Sequence, residues 1–240
     1  MNIVFEEIYK TIWKEVFPNI EPIEIDKFKE LFAFDIEVPK KYFCDRTRKE
    51  VFALERYKFP RMVHEDGVRD VEEKSIDNFK NLQDLTMQMK SMAVFRGSRM
   101  SNSEVVEESD SIYTSNYVFN SQNISASQKI LFCEHCFQSE YLLASRSSGS
   151  SSFGIRINDC FQVSNSFDVD WSGNTTNCYF IHNANDLRDC MFCFNVRSKQ
   201  YCIGNKQYTK EKYFELKEKI LKEYFEQLSS KNPFVTLKDL

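Results

Sequence analysis

The chain of 240 residues lacks the features that place a protein in a membrane, in a secretory pathway or on a nucleic acid. No run of about 18 apolar residues occurs, and acidic residues stand near the amino terminus, so we expect neither a membrane span nor secretion. Lys and Arg are scattered and the net charge is −4, which argues against a nucleic-acid partner. The eight cysteines are then expected to be reduced thiols, in the cytoplasm or in a particle assembled inside the cell.

The common motifs of catalysis and cofactor binding are also missing. The sequence has no Ser/His/Asp order, phosphate loop, HExxH or dinucleotide fingerprint. We therefore predict a protein without enzymatic activity and without a cofactor. If it is an enzyme, the expected class is a polysaccharide lyase or hydrolase. Glycine is scarce, at 6, whereas Phe is common, at 22, and Asn and Ser are concentrated in the second half, which indicates two different regions.

Residues 1–74 are predicted to form a small α/β region. Apolar residues at helical spacing predict a helix from residue 2 to about residue 17. Alternating apolar residues over 31–38 predict an edge strand that ends at Pro39. The segment KYFCDRTRKEVFAL, residues 41–54, predicts two short strands around a polar turn.

Residues 75–108 are predicted to form a helix and a connector. The helix follows a turn at Asp66-Gly67 and reaches the low nineties, with Ser75 as its expected N-cap. Its apolar face is rich in methionine, and we expect it to pack in the core or at the end of the repeat region that follows.

From residue 112 the sequence repeats every six residues, so that residues six apart form columns of similar type. The first column starts at Ile112. A second column, three positions after the first, runs from Ser115 to Cys193 with small or aliphatic residues and fails at Lys199. The column one position after the first is mostly large and apolar, and the column that starts at Asn116 is polar except at Phe194. The first column holds sixteen aliphatic or small residues: Ile112, Val118, Ile124, Ile130, Cys136, Leu142, Ser148, Gly154, Cys160, Ser166, Ser172, Cys178, Ala184, Cys190, Val196 and Cys202.

This repeat predicts a mostly β fold in which residues 109–205 form a parallel β-solenoid. A period of six is too short for helical repeats and differs from the period of two in a plain sheet. We expect two inward positions and one outward position in each hexad, because stacked coils place equivalent residues in ladders. The cysteines of the first column are predicted to form one structural ladder: Cys136, Cys160, Cys178, Cys190 and Cys202.

The serine-rich stretch at 145–152 is expected to be a coil in register. Cys136 and Cys160 on either side of it are 24 residues apart, which is four whole hexads. A flexible loop of coincidental length is the alternative. Coils of twelve residues, suggested by the spacing of Cys178 and Cys190, and coils of eighteen residues both fit the pattern, and the handedness stays open.

Residues 206–240 are predicted to form a C-terminal helix and a tail. Thr209 is the expected N-cap of an amphipathic helix that covers the open end of the solenoid. Its apolar residues are alternatively a surface for a partner or a second copy of the chain. From Pro233 on, we expect a mobile or partner-docked extension. The candidate partner contacts are Tyr213, Ile220, Tyr224 and Phe225.

The segment from Tyr201 to Tyr213, YCIGNKQYTKEKY, carries a family resemblance. It resembles the terminal signature of a family of uncharacterised cysteine-rich repeat proteins from uncultured bacterial lineages and tailed phages. The resemblance covers about the last hundred residues, and it implies a solenoid with a terminal helix and a role in a virion or another large assembly. Paired CxxC motifs often precede the repeats in that family, whereas this chain has only Cys44 there, so a zinc ribbon is not expected.

Two motifs raise the question of a metal or catalytic site. The pairs CEHC at 133–136 and CMFC at 190–193 suggest a zinc site, but they are several coils apart, so we predict that the cysteines fill the interior. A metal site of one pair with His135 is the alternative. His182 shares its half of the repeat with four aspartates that are candidates for polysaccharide cleavage or calcium binding: Asp168, Asp170, Asp186 and Asp189.

The sequence therefore predicts a non-enzymatic β-solenoid protein that acts as a structural or interaction element. We expect protein partners or self-association within a larger assembly, which includes a virion as one case, and no nucleic acid or membrane. A carbohydrate-binding or carbohydrate-cleaving solenoid and a cysteine-based metal-binding protein are the alternatives.

Overall fold

Helices flank a long run of strands in the computed structural model of the chain, which describes residues 2–57, 61–64, 76 and 78–240. Short 3₁₀ turns lie at Glu55–Tyr57 and Leu237–Asp239. None of the helices in these ranges combines the length and the apolar character needed to cross a bilayer. The α-helices of the described residues are α1 Ile3–Val16, α2 Ile25–Phe32, α3 Leu82–Met92 and α4 Lys210–Gln227.

The amino-terminal region contains α1 and α2 and two small sheets. Strand β1 (Lys40–Phe43) pairs antiparallel with β2 (Glu50–Ala53), as predicted for this segment. Strand β3 (Arg61–His64) pairs in parallel with β4 (Val94–Gly97). The predicted helix at the amino terminus is also confirmed as α1.

The predicted edge strand over residues 31–38 is wrong. The first part of that stretch belongs to α2, which buries Phe28 and Phe32 one helical turn apart. Phe34, which the alternating pattern would place on the same face as Phe32, is largely exposed. Helical spacing from Ile25 to Phe32 therefore prevails over an apparent period of two, because it buries two aromatic rings against the rest of the chain.

Helix α3 is shorter than predicted. It begins at Leu82, with the side chain of Asn81 accepting a hydrogen bond from the Asp84 N–H. Ser75, the expected N-cap, and the turn at Asp66-Gly67 lie outside the described residues. Both Met87 and Met89 are exposed, so these methionines are not part of the core.

Strands from Met100 onward form a parallel β-solenoid of about nine turns, as predicted. The first coil begins before residue 109, the expected boundary, and the short β19 folds back antiparallel on β18 after the last coil. The strands are β5 Met100–Ser101, β6 Glu104–Glu107, β7 Asp110–Tyr113, β8 Asn116–Phe119, β9 Gln122–Ser125, β10 Gln128–Leu131, β11 Glu134–Phe137, β12 Glu140–Leu143, β13 Ser152–Asn158, β14 Phe161–Asp170, β15 Gly173–Thr176, β16 Tyr179–His182, β17 Asn185–Phe194, β18 Arg197–Ile203 and β19 Lys206–Gln207.

Each coil of the solenoid contains twelve residues. Residues twelve apart pair in parallel along its length, as Ile112 does with Ile124 and Cys190 with Cys202. The serine-rich stretch keeps this register through isolated bridges, in which Arg146 pairs with Glu134 on one side and with Asn158 on the other. The interpretation of this stretch as a coil is therefore confirmed, and of the two coil lengths left open, twelve is correct.

The backbone turns at every third residue of the solenoid. From Asn102 to Tyr201, each third residue is left-handed, with φ between 46° and 59°. Such a residue costs an L-amino acid roughly 1–2 kcal/mol, and the chain supplies hardly any glycine at these corners. Main-chain hydrogen bonds to the coils before and after each turn offset that cost, as between the Phe132 N–H and the Phe119 carbonyl at 3.1 Å. A coil therefore has four short sides, and the sequence period of six corresponds to half a coil.

Serine hydroxyls fill part of the solenoid interior. In one inward ladder each hydroxyl donates to the carbonyl two residues earlier and accepts from the N–H twelve residues later, at 3.0–3.3 Å. These buried hydroxyls are thus fully paired, which removes the cost of their burial. The ladder consists of Ser103, Ser115, Ser127, Ser139 and Ser151.

Aliphatic and small residues exchange sides near the middle of the solenoid. Up to Leu142 the column that starts at Ile112 is mostly aliphatic, and from Ile157 on the companion column is aliphatic instead. Gly154 stands at this exchange, where an added Cβ would lie 2.4 Å from Cγ1 of Ile157. The narrow interior has room for large side chains on only one pair of opposite sides of the coil. Where small residues leave space, the large side chains change from one pair of sides to the other.

Helices α1 and α4 cover one side of the solenoid. The Phe5 ring lies 5.5 Å from Phe119 and the Phe17 ring 5.1 Å from Phe167, so α1 extends over several coils. We call this the covered side. Its outward residues are Phe119, Leu131, Leu143, Ile155, Phe167, Tyr179, Met191 and Ile203.

Helix α4 lies along the covered side, whereas we expected it to cover the open end. Its start packs near the last coil, with Tyr213 5.8 Å from Tyr201, and its end lies farther back, with Tyr224 5.9 Å from Phe167. Since the apolar stripe of the helix is long and the end of a coil is small, the side offers it more apolar surface to bury.

The C-terminal tail is docked against the chain itself. Arg156 is fully buried and contacts Asp35 at 2.9 Å and Asp168 at 3.3 Å. The Leu237 N–H donates to the other oxygen of Asp168 at 2.6 Å, and Phe234 packs on Phe180. This buried network joins the turn after α2, the solenoid and the tail.

Candidate recognition surface

The side of the solenoid opposite the covered side carries exposed aromatic rings. Its outward residues are half a coil, or six residues, away from those of the covered side. Because the coil has four sides, six residues lead to the opposite one. We call it the aromatic side. Its outward residues are Ser101, Tyr113, Ser125, Phe137, Gly149, Phe161, Gly173, Asn185 and Arg197.

Three rings follow one another at regular intervals along the aromatic side. The side chains of Tyr113, Phe137 and Phe161 are 41%, 44% and 47% exposed. The three residues stand two coils apart, which is roughly 10 Å between their backbones at the usual strand spacing, although the rings of Phe137 and Phe161 approach more closely than that. A fourth ring, Trp171, is 66% exposed at the neighbouring corner.

Small residues between the rings keep this side flat. The Phe137 ring reaches over Gly149 of the next coil, where a Cβ would lie 2.3 Å from the ring. Phe161 lies 6.5 Å from Phe137, between ring centroids. Beyond it, Phe161, Trp171 and Gly173 line a shallow depression of about 610 Å³. The rings and glycines together make a continuous strip along the solenoid axis.

The residues that border this strip at both corners are mostly neutral and polar, with Asp159 and Asp186 as the acidic members. Several of them form ladders twelve residues apart, such as Asn183 to Asn195 at 2.7 Å and Asn174 to Asp186 at 2.9 Å. Neither corner row carries Lys or Arg between residues 111 and 186. One row is Ser111, Asn123, His135, Ser147, Asp159, Trp171 and Asn183, and the other is Thr114, Ala126, Gln138, Ser150, Gln162, Asn174 and Asp186.

The structure places the five cysteines of the predicted ladder inside the solenoid, in two ladders. Cys136 and Cys160 lie on one side of the coil, and Cys178, Cys190 and Cys202 lie on the opposite side. The single ladder was wrong because a coil of twelve contains two hexads, so a column with a period of six alternates between opposite sides.

A buried thiol also replaces a serine hydroxyl in a further inward ladder, which contains Ser109, Ser121, Cys133 and Ser145. Cys133 donates to the Leu131 carbonyl at 3.2 Å and accepts from the Ser145 N–H at 3.4 Å. Burial raises the pKa of Cys160 to about 12. A hydrogen bond with Cys178, together with burial, raises the pKa of Cys190 to about 12. Thiols in this state are protonated at neutral pH, which makes them weak nucleophiles and weak metal ligands.

Neither of the two metal sites considered for the cysteines has its ligands together. Cys133 and Cys136 point into the interior, whereas His135 lies on an outward corner, 3.2 Å from Glu134. The two CxxC pairs are separated by almost five coils, or roughly 23 Å. Across the described ranges, no group of three His, Cys, Asp or Glu side chains is arranged to hold a metal ion.

The aspartates that were grouped with His182 lie on different parts of the solenoid. His182 contacts Asp170 at 3.1 Å. Asp168 is buried beside Arg156, where burial raises its pKa to about 6 against the opposing effect of the guanidinium. Asp186 and Asp189 accept hydrogen bonds from asparagines at two other corners. Because these carboxylates do not converge, they form no cluster of the kind that cleavage or calcium binding requires.

The four candidate partner contacts of α4 face the chain's own core. Tyr213 and Tyr224 are buried, and Phe225 lies 5.6 Å from Trp13. Ile220 is partly buried against the same cluster. Their role toward another molecule stays a prediction, and the structure shows that they hold α4 on the covered side.

The aromatic side was missed because the sequence was compared at a period of six. At that period Tyr113, Phe137 and Phe161 join the same column as the buried residues of the covered side. The members of that column that are not large and apolar all lie on the aromatic side. Their positions are therefore the signal by which the sequence could have revealed this side. A comparison at a period of twelve separates an all-apolar column from one that alternates rings with Ser125, Gly149 and similar small residues.

A scan against protein-family models finds no match to the chain, and a search of curated proteins finds none either. Function is therefore inferred from the surfaces described above.

Proposed function

We propose that this protein is a non-enzymatic β-solenoid that serves as an interaction element in a larger assembly, and that the aromatic side is its contact surface. The observation that carries the proposal is the difference between two opposite sides of one solenoid. On the covered side, apolar residues such as Leu143 and Phe167 are buried by helices, whereas the rings of Phe137 and Phe161 are left open. An exposed aromatic strip on a rigid scaffold is suited to binding another molecule.

The distribution of charged side chains supports binding over catalysis. The four candidate aspartates, Asp168, Asp170, Asp186 and Asp189, are paired with Arg156, His182 or asparagines and do not converge on one point. The inward thiols of Cys160 and Cys190 have raised pKa values and are therefore protonated at neutral pH. The resemblance of Tyr201–Tyr213 to a family from bacterial lineages and tailed phages supports a place in a large assembly, and we include a virion among the candidates.

The experiment compares the size of the native complex in the source cells for the wild type and for a Phe137→Ser/Phe161→Ser variant. Serine already occupies Ser101 and Ser125 of the same side, so the strands accommodate it. We expect the wild type to sediment as a species well above its own 28.5 kDa and the variant to return to the monomer mass.

Phe194→Ser is the matched control, because Phe194 is also an outward residue of a strand but lies on the side of Asp170 and His182. It should leave the complex intact. A wild type that sediments at 28.5 kDa, or a double variant that keeps the complex, contradicts the proposal.

A further inference from the structure

We infer that the aromatic side binds a neutral polysaccharide chain that lies along the solenoid axis. This inference rests on the proposed function and gives it a ligand class. It follows from three properties of the surface: the ring faces, the neutral polar borders and the axial repeat.

The rings supply the apolar half of the recognition. A pyranose ring presents a patch of C–H groups on its face and hydroxyls around its rim. The half-exposed rings of Phe137 and Phe161 offer flat apolar surface for such C–H groups, and Trp171 adds a larger one at the edge of the shallow depression. Gly149 and Gly173 keep the strip between the rings free of side chains that would hold a sugar away.

The corner rows supply the polar half. Asn and Gln side chains both donate and accept hydrogen bonds, and so does a sugar hydroxyl. The two borders of the strip carry amide side chains at the corners next to the strands that hold the rings: Asn123, Gln138, Gln162 and Asn183. The borders thus match the rim of a sugar whose face lies on an aromatic ring.

Charge decides between a neutral and an anionic polymer. Between its ends the strip and its borders carry no Lys or Arg, whereas Asp159 and Asp186 are present; Arg99 at one end is paired with Asp110, and Arg197 stands at the other end, beyond the rings. A polyanion such as a nucleic acid or an acidic glycan depends on Lys and Arg contacts and would be repelled by these carboxylates. A neutral chain meets no such penalty.

The repeat of the solenoid favours a polymer over a small molecule. Tyr113, Phe137 and Phe161 present three rings at intervals of two coils, which spreads the strip over roughly 20 Å. Each ring alone is a weak site, but a chain that contacts all three gains from effective concentration. We therefore expect affinity to increase with the length of an oligosaccharide until it spans the three rings.

The test measures retardation of the purified full-length chain in native gels that contain hydroxyethylcellulose, laminarin, xylan or galactomannan, with polygalacturonate as the anionic comparison. We expect retardation by at least one neutral polymer, unchanged between about 50 mM and 200 mM salt, and none by polygalacturonate. Phe137→Ser/Phe161→Ser should weaken it at least about tenfold. Phe194→Ser should bind as the wild type does, and circular dichroism confirms that both variants are folded.

No retardation by any of the neutral polymers overturns the inference, as does retardation that survives the double substitution. If the double substitution dissolves a protein complex or a self-association in the sedimentation experiment while no polymer binds, the aromatic side is a protein interface. In that case the polysaccharide inference fails and the proposed function stands. If neither sedimentation nor retardation depends on the aromatic side, both fail.

Discussion

Gly154 stands where aliphatic and small residues exchange sides, and substitution by alanine tests that packing directly. Its Cβ would lie 2.4 Å from Cγ1 of Ile157 and 3.0 Å from Cδ2 of Leu142. Gly154 has no positive φ, so alanine can adopt the backbone and would contribute about 0.4–1 kcal/mol by restricting the unfolded chain. Overpacking of a closed core costs about 1–3 kcal/mol. We therefore expect a net loss of about 1–2 kcal/mol.

The assay is urea unfolding followed by circular dichroism, with the midpoint compared at equal slope. A loss of about 1–2 kcal/mol lowers the melting temperature of a chain of this size by about 2–8 °C. Gly173→Ala is the matched control, since its Cβ would meet only the mobile Oδ1 of Asn185 at 2.9 Å and the Phe161 carbonyl at an ordinary 3.4 Å. It should be neutral or slightly stabilising.

A double-mutant cycle locates the strain. Ile157→Ala alone should cost about 2–5 kcal/mol through the cavity that it leaves. Combined with Gly154→Ala, it should cost less than the sum of the two by about 1–2 kcal/mol, because the clash is gone. Strictly additive effects, or a Gly154→Ala variant as stable as the wild type, would refute the explanation that aliphatic and small residues change sides where Gly154 leaves room for Ile157.

Three further predictions concern buried groups. Ser121→Ala leaves the Cys133 N–H unpaired and removes one of the two hydrogen bonds to the Phe119 carbonyl, which keeps the one from the Phe132 N–H, and it should cost about 1–3 kcal/mol in urea unfolding, whereas Ser121→Cys, which copies the ladder role of Cys133, should cost less than about half of that. Burial raises the folded pKa of Asp168 to about 6, so its stabilising contribution is complete below the unfolded pKa near 4 and is lost as the pH rises through 6. The stability of the wild type relative to Asp168→Asn should therefore fall by about 2 kcal/mol between pH 4 and pH 7, and a difference independent of pH contradicts this. The seven cysteines of the solenoid are free and buried, so N-ethylmaleimide should label none of these seven rapidly in the native state and all of them in denaturant, as located by mass spectrometry; a fast-reacting native thiol in the solenoid counts against the packing.

Most of the solenoid was predictable because its repeat is local in sequence. Inward residues such as Ile112 and Ser115 obey the same steric limit in every coil, so their columns are visible without any knowledge of the rest of the chain. The serine-rich stretch was predictable for the same reason. By contrast, the pattern over 31–38 is too short to separate a strand from a helix, and burial of Phe28 and Phe32 decided it.

The aromatic side was only partly predictable. Phe137 and Phe161 belong to a visible column, but nothing local distinguishes them from Leu143 or Phe167 in that column at a period of six. The distinction requires the coil length, which depends on pairing between residues twelve apart.

The sequence by itself determined that residues from about 109 to 205 stack in a solenoid with small and aliphatic residues inside, because a steric pattern repeated in every coil needs no distant information. Tertiary structure alone decided which apolar side is buried. Helices α1 and α4 come from opposite ends of the chain, and they settle on the side where Phe119 through Met191 form an unbroken apolar surface. The opposite side, with Phe137 and Phe161 separated by small residues, offers less continuous surface to bury, and its rings therefore remain exposed.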